Sequence, residues 1–155
     1  ALNEKVIEAI QSQRYDHIRV NFANGDMVGH TGNFEATVQA IEILDTCLEH
    51  LWTAAKAHGA VVLVTADHGN ADEMAQFDKK TKLYKKRDDG SYVPSTSHSK
   101  NPVPFILCDP LSEWTLQGNS GDLLGGLAQI GGTLLHMTGL DVPDHYLPSL
   151  VERLS

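Results

Sequence analysis

The feature that most constrains the fold is a continuous apolar run, AVVLVTA at residues 60–66, which ends directly in Asp67 and His68. An uncharged run of this length is typical of a strand that is buried on both faces, as in a parallel sheet. In open α/β sheets, ligands bind beyond the carboxyl ends of the strands. The run therefore predicts a sheet edge that presents a carboxylate and an imidazole.

Two amphipathic helices are predicted on either side of the chain's first polar loop. Residues 2–13 and 34–58 repeat apolar side chains at steps of three and four, which is the spacing of one helix face. Asn33 is placed to cap the second helix, and Gly59 is placed to end it. The segment between residues 23 and 33 is rich in Gly and Asn and is expected to be a loop.

Two further strands and a last helix complete the prediction. Residues 17–22 and 102–108 have the composition of strands, and residues 122–138 form a helix pattern that two Gly-Gly pairs weaken. The order strand, helix, strand predicts an α/β layer with parallel pairing. Three strands make a thin sheet with an exposed apolar edge, so we expect residues outside this chain, or a partner, to complete it.

Composition excludes some classes of partner. The chain has 20 acidic and 12 basic residues and a formal net charge of −8, which argues against nucleic acid because phosphate binding needs a positive field. No apolar run has the length of a membrane span, so no membrane partner is expected. Cys47 and Cys108 are expected to be two buried thiols and not a disulfide, which suits a reducing, cytoplasmic compartment. The basic run 79–87 is expected to be solvated, within a long polar excursion at about 69–102.

Candidate metal ligands follow two of the predicted strands. One strand leads into Asp26 and His30, and the other leads into Asp67 and His68. His98 joins them only if the polar excursion folds back over the same edge. Each residue alone is more often a surface or turn residue, but together they offer carboxylate and imidazole without thiolate. This set favours manganese or zinc over calcium, and two such cations would clamp a phosphate.

Three segments carry a family resemblance: VNFANGDMVGHTGNFEATVQAIE, VTADHGNADEM and TSHSKNPVPFIL. They closely resemble the C-terminal part of cofactor-independent, or 2,3-bisphosphoglycerate-independent, phosphoglycerate mutase, which belongs to the alkaline phosphatase superfamily. The resemblance implies an α/β, alkaline-phosphatase-like three-layer sandwich. It also implies that residues 1–155 are the C-terminal portion of the metal-binding, phosphatase-like domain, with an incomplete sheet because the chain is a C-terminal fragment.

The same resemblance implies an activity. The family interconverts 3-phosphoglycerate and 2-phosphoglycerate in glycolysis and gluconeogenesis through a phosphoserine intermediate, and it uses a pair of Mn²⁺ ions, for which Zn²⁺, Co²⁺ or Mg²⁺ are expected substitutes. By match of motif, Asp26, His30 and His98 are expected to bind the first metal, and Asp67 and His68 the second. The nucleophilic serine and the substrate-gripping residues belong to the family's N-terminal part. This chain is therefore expected to hold no catalytic residue, to be inactive alone and to pack against that part.

Two alternatives remain open. Metal-dependent phosphohydrolases and phosphopentomutases of the same superfamily use the same ligands. The motifs DMVGHTG and DHGNAD nevertheless favour phosphoglycerate mutase. The alternative of another class is a non-catalytic, metal-stabilised interaction module with the basic excursion as its contact surface.

Overall fold

The computed structural model describes residues 2–119 and 121–154, which form four helices and six short strands. The helices are α1 (Leu2–Ser12), α2 (Asn24–Gly29), α3 (Phe34–Ala57) and α4 (Gln129–Met137). The strands are β1 (Val62–Thr65), β2 (Phe77–Asp78), β3 (Leu83–Tyr84), β4 (Phe105–Cys108), β5 (Trp114–Leu116) and β6 (Val151–Arg153). No described helix is long and apolar enough to cross a membrane.

The chain divides into two compact units. The first unit comprises the described residues of the ranges 1–18, 51–65 and 105–155, and the second comprises residues 19–50 and 66–104. In the first unit, β1 pairs with β4 and β5 pairs with β6, and both ladders are antiparallel. Its core includes Val6, Leu51, Ala55, Leu150 and Val151, all of which are buried. Cys108 of the first unit and Cys47 of the second are free thiols, as predicted, but the prediction that they are buried is wrong, because both are half-buried.

The predicted parallel pairing is wrong for the part of the chain that the structure describes, because each ladder there is antiparallel. Residues 17–22 also form no strand, since no described segment offers its backbone N–H and C=O groups to them. Their side chains nevertheless alternate as in a strand. Ile18, Val20 and Phe22 are half-buried, and the residues between them are exposed. The segment therefore has the residue pattern of a strand, but no strand among the described residues pairs with it.

The last predicted helix begins later than expected, at Gln129 instead of residue 122. Gly125 and Gly126 disfavour helix at this point, and the Gln129 side-chain carbonyl accepts a hydrogen bond of 2.9 Å from the Gly126 N–H, which replaces a preceding helical turn. Gly132 remains inside α4 because a Cβ there would collide with the Leu147 backbone carbonyl oxygen.

In the second unit, the N-terminal half of α3 is capped as predicted. The Ala36 N–H donates to Asn33 Oδ1 at 3.0 Å, which satisfies one of the helix's free N-terminal donors. The far end of the helix, in the first unit, is Ala57, and Gly59 follows two residues later with a positive φ of 67°, as expected of a glycine that ends a helix. The burial of the predicted apolar stripe on α3 differs along the helix. Near the cap, Phe34 is 66% exposed and the buried position is Thr37.

The polar excursion is folded by antiparallel pairing. β2 pairs with β3, and isolated bridges join Gly69 to Ser99, Ala75 to Pro94 and Lys86 to Tyr92. The basic run 79–87 is exposed throughout, as predicted. The bridge between Gly69 and Ser99 returns the chain to the point where the excursion began, and this return positions His98.

Candidate metal centre

Asp26 lies on the short helix α2, and His30 directly follows its last residue. A loop was predicted here, and that prediction is wrong. The Met27 N–H donates to the Ala23 carbonyl at 2.9 Å, and the His30 N–H donates to the Asp26 carbonyl at 3.0 Å. Residues four apart on a helix share one face. His30 Nε2 accordingly lies 3.2 Å from Asp26 Oδ1.

His98 reaches the same point from the end of the polar excursion. Its Nε2 atom lies 3.1 Å from Asp26 Oδ1 and 3.1 Å from His30 Nε2. The condition set by the sequence, that the excursion fold back, is therefore met. The structure brings together Asp26, His30 and His98, the three residues predicted to serve one metal.

His68 faces this group with one ring nitrogen and Asp67 with the other. Its Nδ1 atom is 4.0 Å from Asp26 Oδ1, and its Nε2 atom is 3.6 Å from Asp67 Oδ1. Its ring stacks on that of His98, with centroids 3.6 Å apart. The Asp67 side chain is 83% exposed and is not drawn into the cluster. The ligand atoms of Asp26, His68 and His98 all lie within 4.8 Å of one another.

The ring of His30 is oriented by a backbone carbonyl. His30 Nδ1 lies 2.7 Å from the backbone carbonyl oxygen of Thr96. Because a carbonyl oxygen only accepts, the hydrogen bond places the proton on Nδ1. In the neutral ring this leaves the Nε2 lone pair directed at Asp26 and His98. A metal-binding histidine is typically oriented in this way.

Asn70, which was not among the residues predicted from the sequence, holds Asp26 in place. Asn70 is 6% exposed, and its Nδ2 donates to Asp26 Oδ1 at 2.7 Å and to the Asp26 carbonyl at 3.3 Å. This hydrogen bond, assisted by the nearby imidazoles and opposed by burial, keeps the pKa of Asp26 below its ordinary value. The position of Asn70, two residues after His68, was the only feature that pointed to it.

The donor set fits a divalent cation. Two ligand atoms that share a cation at about 2.1 Å lie about 3.0–3.4 Å apart, depending on the coordination angle. The separations among Asp26, His30 and His98 match this spacing. His68 Nδ1 is also buried without a hydrogen-bond partner, which is costly for a polar atom. A bound cation would supply the missing partner.

Comparison with known proteins identifies the family. Residues 1–142 match the family described as the Metalloenzyme superfamily, and the chain belongs to that superfamily. The chain is 47% identical to a probable 2,3-bisphosphoglycerate-independent phosphoglycerate mutase of Leptospira interrogans, over 99% of this chain and 28% of that protein. It is 39% identical to the mutase of Trypanosoma brucei brucei, over 97% of this chain and 27% of that protein.

A solved structure shows the fold. The chain superimposes on phosphoglycerate mutase of Leishmania mexicana, determined at low cobalt concentration, with a TM-score of 0.89 and 39% identity. The match covers 99% of this chain and 28% of that one. The predicted α/β class, as part of an alkaline-phosphatase-like fold, and the predicted family resemblance are confirmed. The chain spans under a third of the length of the relatives that it matches.

Proposed function

We propose that this chain carries the metal centre of a 2,3-bisphosphoglycerate-independent phosphoglycerate mutase, an isomerase that interconverts 3-phosphoglycerate and 2-phosphoglycerate through a phosphoserine. The observation that carries the proposal is the convergence of Asp26, His68 and His98 from three distant segments into one cluster of ligand atoms. The mutase names of the relatives favour this activity over a phosphohydrolase or phosphopentomutase. The nucleophilic serine belongs to another part of the complete enzyme.

We assign Asp26, His30 and His98 to one cation, and Asp67 and His68 to a second. The contact of 3.6 Å between His68 Nε2 and Asp67 Oδ1 supports the pairing of these two residues on the second cation. Mn²⁺ is the proposed cation, and Zn²⁺, Co²⁺ and Mg²⁺ share enough ligand preference to substitute. When bound, the cations supply the positive charge that activates a serine hydroxyl and stabilises a transferring phosphoryl group.

The residues of this chain prepare the site for that chemistry. Thr96 keeps a proton on the outer nitrogen of His30, so that the inner nitrogen is a free ligand. Asn70 fixes the carboxylate of Asp26. The formal net charge of −8 opposes the approach of an anionic phosphoglycerate. Substrate binding is therefore expected to require the cations, which reverse the local sign of the field.

We further propose that residues 1–155 form the C-terminal portion of the metal-binding domain and pack against the enzyme's N-terminal part. Phe34, Val38 and Ile41 leave apolar surface exposed on α3, and with Met74 they line an open groove. Such surface is unusual on a protein that functions alone. A cytoplasmic location is proposed as well, supported by the free thiols.

Isothermal titration calorimetry with Mn²⁺ tests the proposal. The chain is expected to bind Mn²⁺ saturably at the site formed by Asp26, His30 and His98, and Asp26→Ala and His98→Ala are each expected to abolish binding at this site. His17→Ala removes an exposed imidazole outside the cluster and serves as the matched control. Loss of binding in the control, or retention in both cluster variants, would reject the site. A mutase assay of the chain alone is expected to show no turnover, and robust turnover would reject the claim that the nucleophile lies elsewhere.

A further inference from the structure

A second polar cluster joins the two segments that carry His68 and His98. Asp72 Oδ2 accepts a hydrogen bond of 2.8 Å from Ser99 Oγ and one of 2.7 Å from Asn101 Nδ2. Asn101 also donates to Glu73 Oε2 at the longer distance of 3.3 Å. We name Asp72, Ser99 and Asn101 the polar clasp. It connects the beginning of the excursion to its end.

The backbone supports the clasp from the other side. The Ser99 N–H donates to the Gly69 carbonyl at 2.8 Å, within an antiparallel bridge between these residues. A Cβ at Gly69 would collide with both Ser99 Oγ and the Asp72 carboxylate, so only glycine permits this approach. Gly69 directly follows His68, and Ser99 directly follows His98. Contacts between Gly69, Asp72 and Ser99 thus set the spacing of the two imidazoles.

We propose that Asp72 is a positioning residue for the metal centre, holding the His98 segment against the His68 segment through Ser99 and Asn101. The inference rests on the proposed metal-binding function and adds a residue that touches no ligand atom. Burial disfavours the charged form of Asp72, but hydrogen bonds from Ser99 and Asn101 outweigh it and lower the pKa of this carboxyl. The acceptor oxygens of the clasp are therefore available at neutral pH.

Asp72 could act on the metal centre by positioning the ligands or by its negative charge, and two substitutions distinguish these roles. Asp72→Ala removes the acceptor and the charge together. Asp72→Asn removes the charge but leaves an amide oxygen that accepts from Ser99 and Asn101. Asp89→Ala is the matched control, because Asp89 accepts from the hydroxyl of Ser91 at 2.6 Å but joins only residues two apart.

The test is a titration of the whole chain and its variants with Co²⁺, followed by visible absorption, which reports ligand geometry as well as affinity. Asp72→Ala is expected to weaken Co²⁺ binding about tenfold or more, as for other residues that orient metal ligands, and to change the absorption bands. Asp72→Asn is expected to weaken it by no more than about threefold, because neutral hydrogen bonds are weaker than charge-assisted ones. Asp89→Ala is expected to match the wild type.

Several results would overturn the inference. Equal losses of Co²⁺ affinity in Asp72→Ala and Asp72→Asn would show that the carboxylate acts through its charge. An unchanged absorption spectrum in Asp72→Ala would show that Asp72 does not position the metal ligands. If Asp72→Ala fails to fold, Asn101→Ala removes one clasp bond at an exposed position, and a wild-type spectrum there would count against the clasp. If the wild type binds no Co²⁺, the proposed metal centre fails. The clasp is then judged by amide exchange at Ser99, which must accelerate in Asp72→Ala.

Discussion

The imidazole rings of His68 and His98 lie face to face, with centroids 3.6 Å apart and 15° between their planes. Stacking directs one nitrogen of each ring toward Asp26, His68 Nδ1 at 4.0 Å and His98 Nε2 at 3.1 Å. His98 belongs to the polar excursion, and His68 directly precedes it. Their arrangement therefore depends on a few polar contacts, and each of these contacts can be removed by mutation.

The first prediction concerns Asn70. Asn70→Ala removes the donor at 2.7 Å from Asp26 Oδ1, so the carboxylate loses its fixed orientation. We expect Mn²⁺ affinity to fall about tenfold or more, and the free energy of unfolding to fall by about 1 kcal/mol. Calorimetry and urea unfolding measure the two effects. The control is Asn119→Ala, at an exposed position, and an Asn70 variant that behaves like this control would contradict the prediction.

The second prediction concerns Gly29, which packs against the side chain of Asn70. Gly29 has an ordinary helical backbone, and alanine in a helix is normally favoured over glycine by about 1 kcal/mol. A Cβ at Gly29, however, would lie 2.5 Å from Asn70 Oδ1 and 2.9 Å from its Cγ. Gly29→Ala is therefore expected to displace Asn70, lower stability and weaken Mn²⁺ binding.

Thermal unfolding with and without Mn²⁺ checks this prediction. Gly126→Ala is the control, because a Cβ there meets nothing within 4 Å. A rise in melting temperature for Gly29→Ala, equal to or larger than that of the control, would show that Asn70 does not need the space that the glycine leaves.

The sequence predicted which side chains converge better than it predicted the sheet. The five ligand candidates lie in short motifs whose residue types are informative without any tertiary contact, and four of them converge in the structure. The strand at 17–22 was wrong because strand formation needs a partner, which residue pattern does not supply. α2 was missed because its glycines suggest a loop, and Gly29 is retained in the helix by the packing of Asn70.

Asn70 and Asp72 were missed for a different reason. Both act through hydrogen bonds to residues more than 25 positions away in sequence, such as Asp26 for Asn70 and Ser99 for Asp72. An amide or a carboxylate in a polar loop is ordinarily a turn or surface residue, and nothing in its neighbours distinguishes it. Only the folded excursion shows what these side chains contact.

A third prediction concerns the stability of the first unit. Thr133 is fully buried, and its Oγ1 accepts from the Leu150 N–H at 2.9 Å. Thr133→Val keeps the shape but leaves a buried backbone donor without an acceptor, so we expect a loss of about 1–3 kcal/mol in the free energy of unfolding. Thr138→Val, at the exposed end of α4, is expected to stay within about 0.5 kcal/mol of wild type. Equal losses in the free energy of unfolding for Thr133→Val and Thr138→Val, measured with urea, would contradict this prediction.

A fourth prediction concerns pH. Burial opposes ionisation of Asp109, but the N–H groups of Leu111, Trp114 and Glu113 donate to its carboxylate and lower its pKa. A lowered folded pKa means that the ionised group stabilises the fold above the ordinary pKa, and that this contribution is lost as pH falls through the folded value.

Asp109→Asn is therefore expected to lower the free energy of unfolding by about 1 kcal/mol at neutral pH. The difference from wild type is expected to shrink once the pH falls below about 4. Urea unfolding across this range measures the difference, with Asp144→Asn, an exposed carboxylate, as the control. A difference between wild type and Asp109→Asn that stays constant with pH would show that the charge is not what the three N–H groups stabilise.

The most direct test of the central claim is an anomalous difference map from crystals of the chain soaked in Mn²⁺. We predict a peak bounded by Asp26 Oδ1, His30 Nε2 and His98 Nε2, with His68 Nδ1 facing it, and no such peak in crystals of Asp26→Ala. A map of the soaked wild-type crystals without density among these four side chains, or with Mn²⁺ bound only at other residues, would contradict the account.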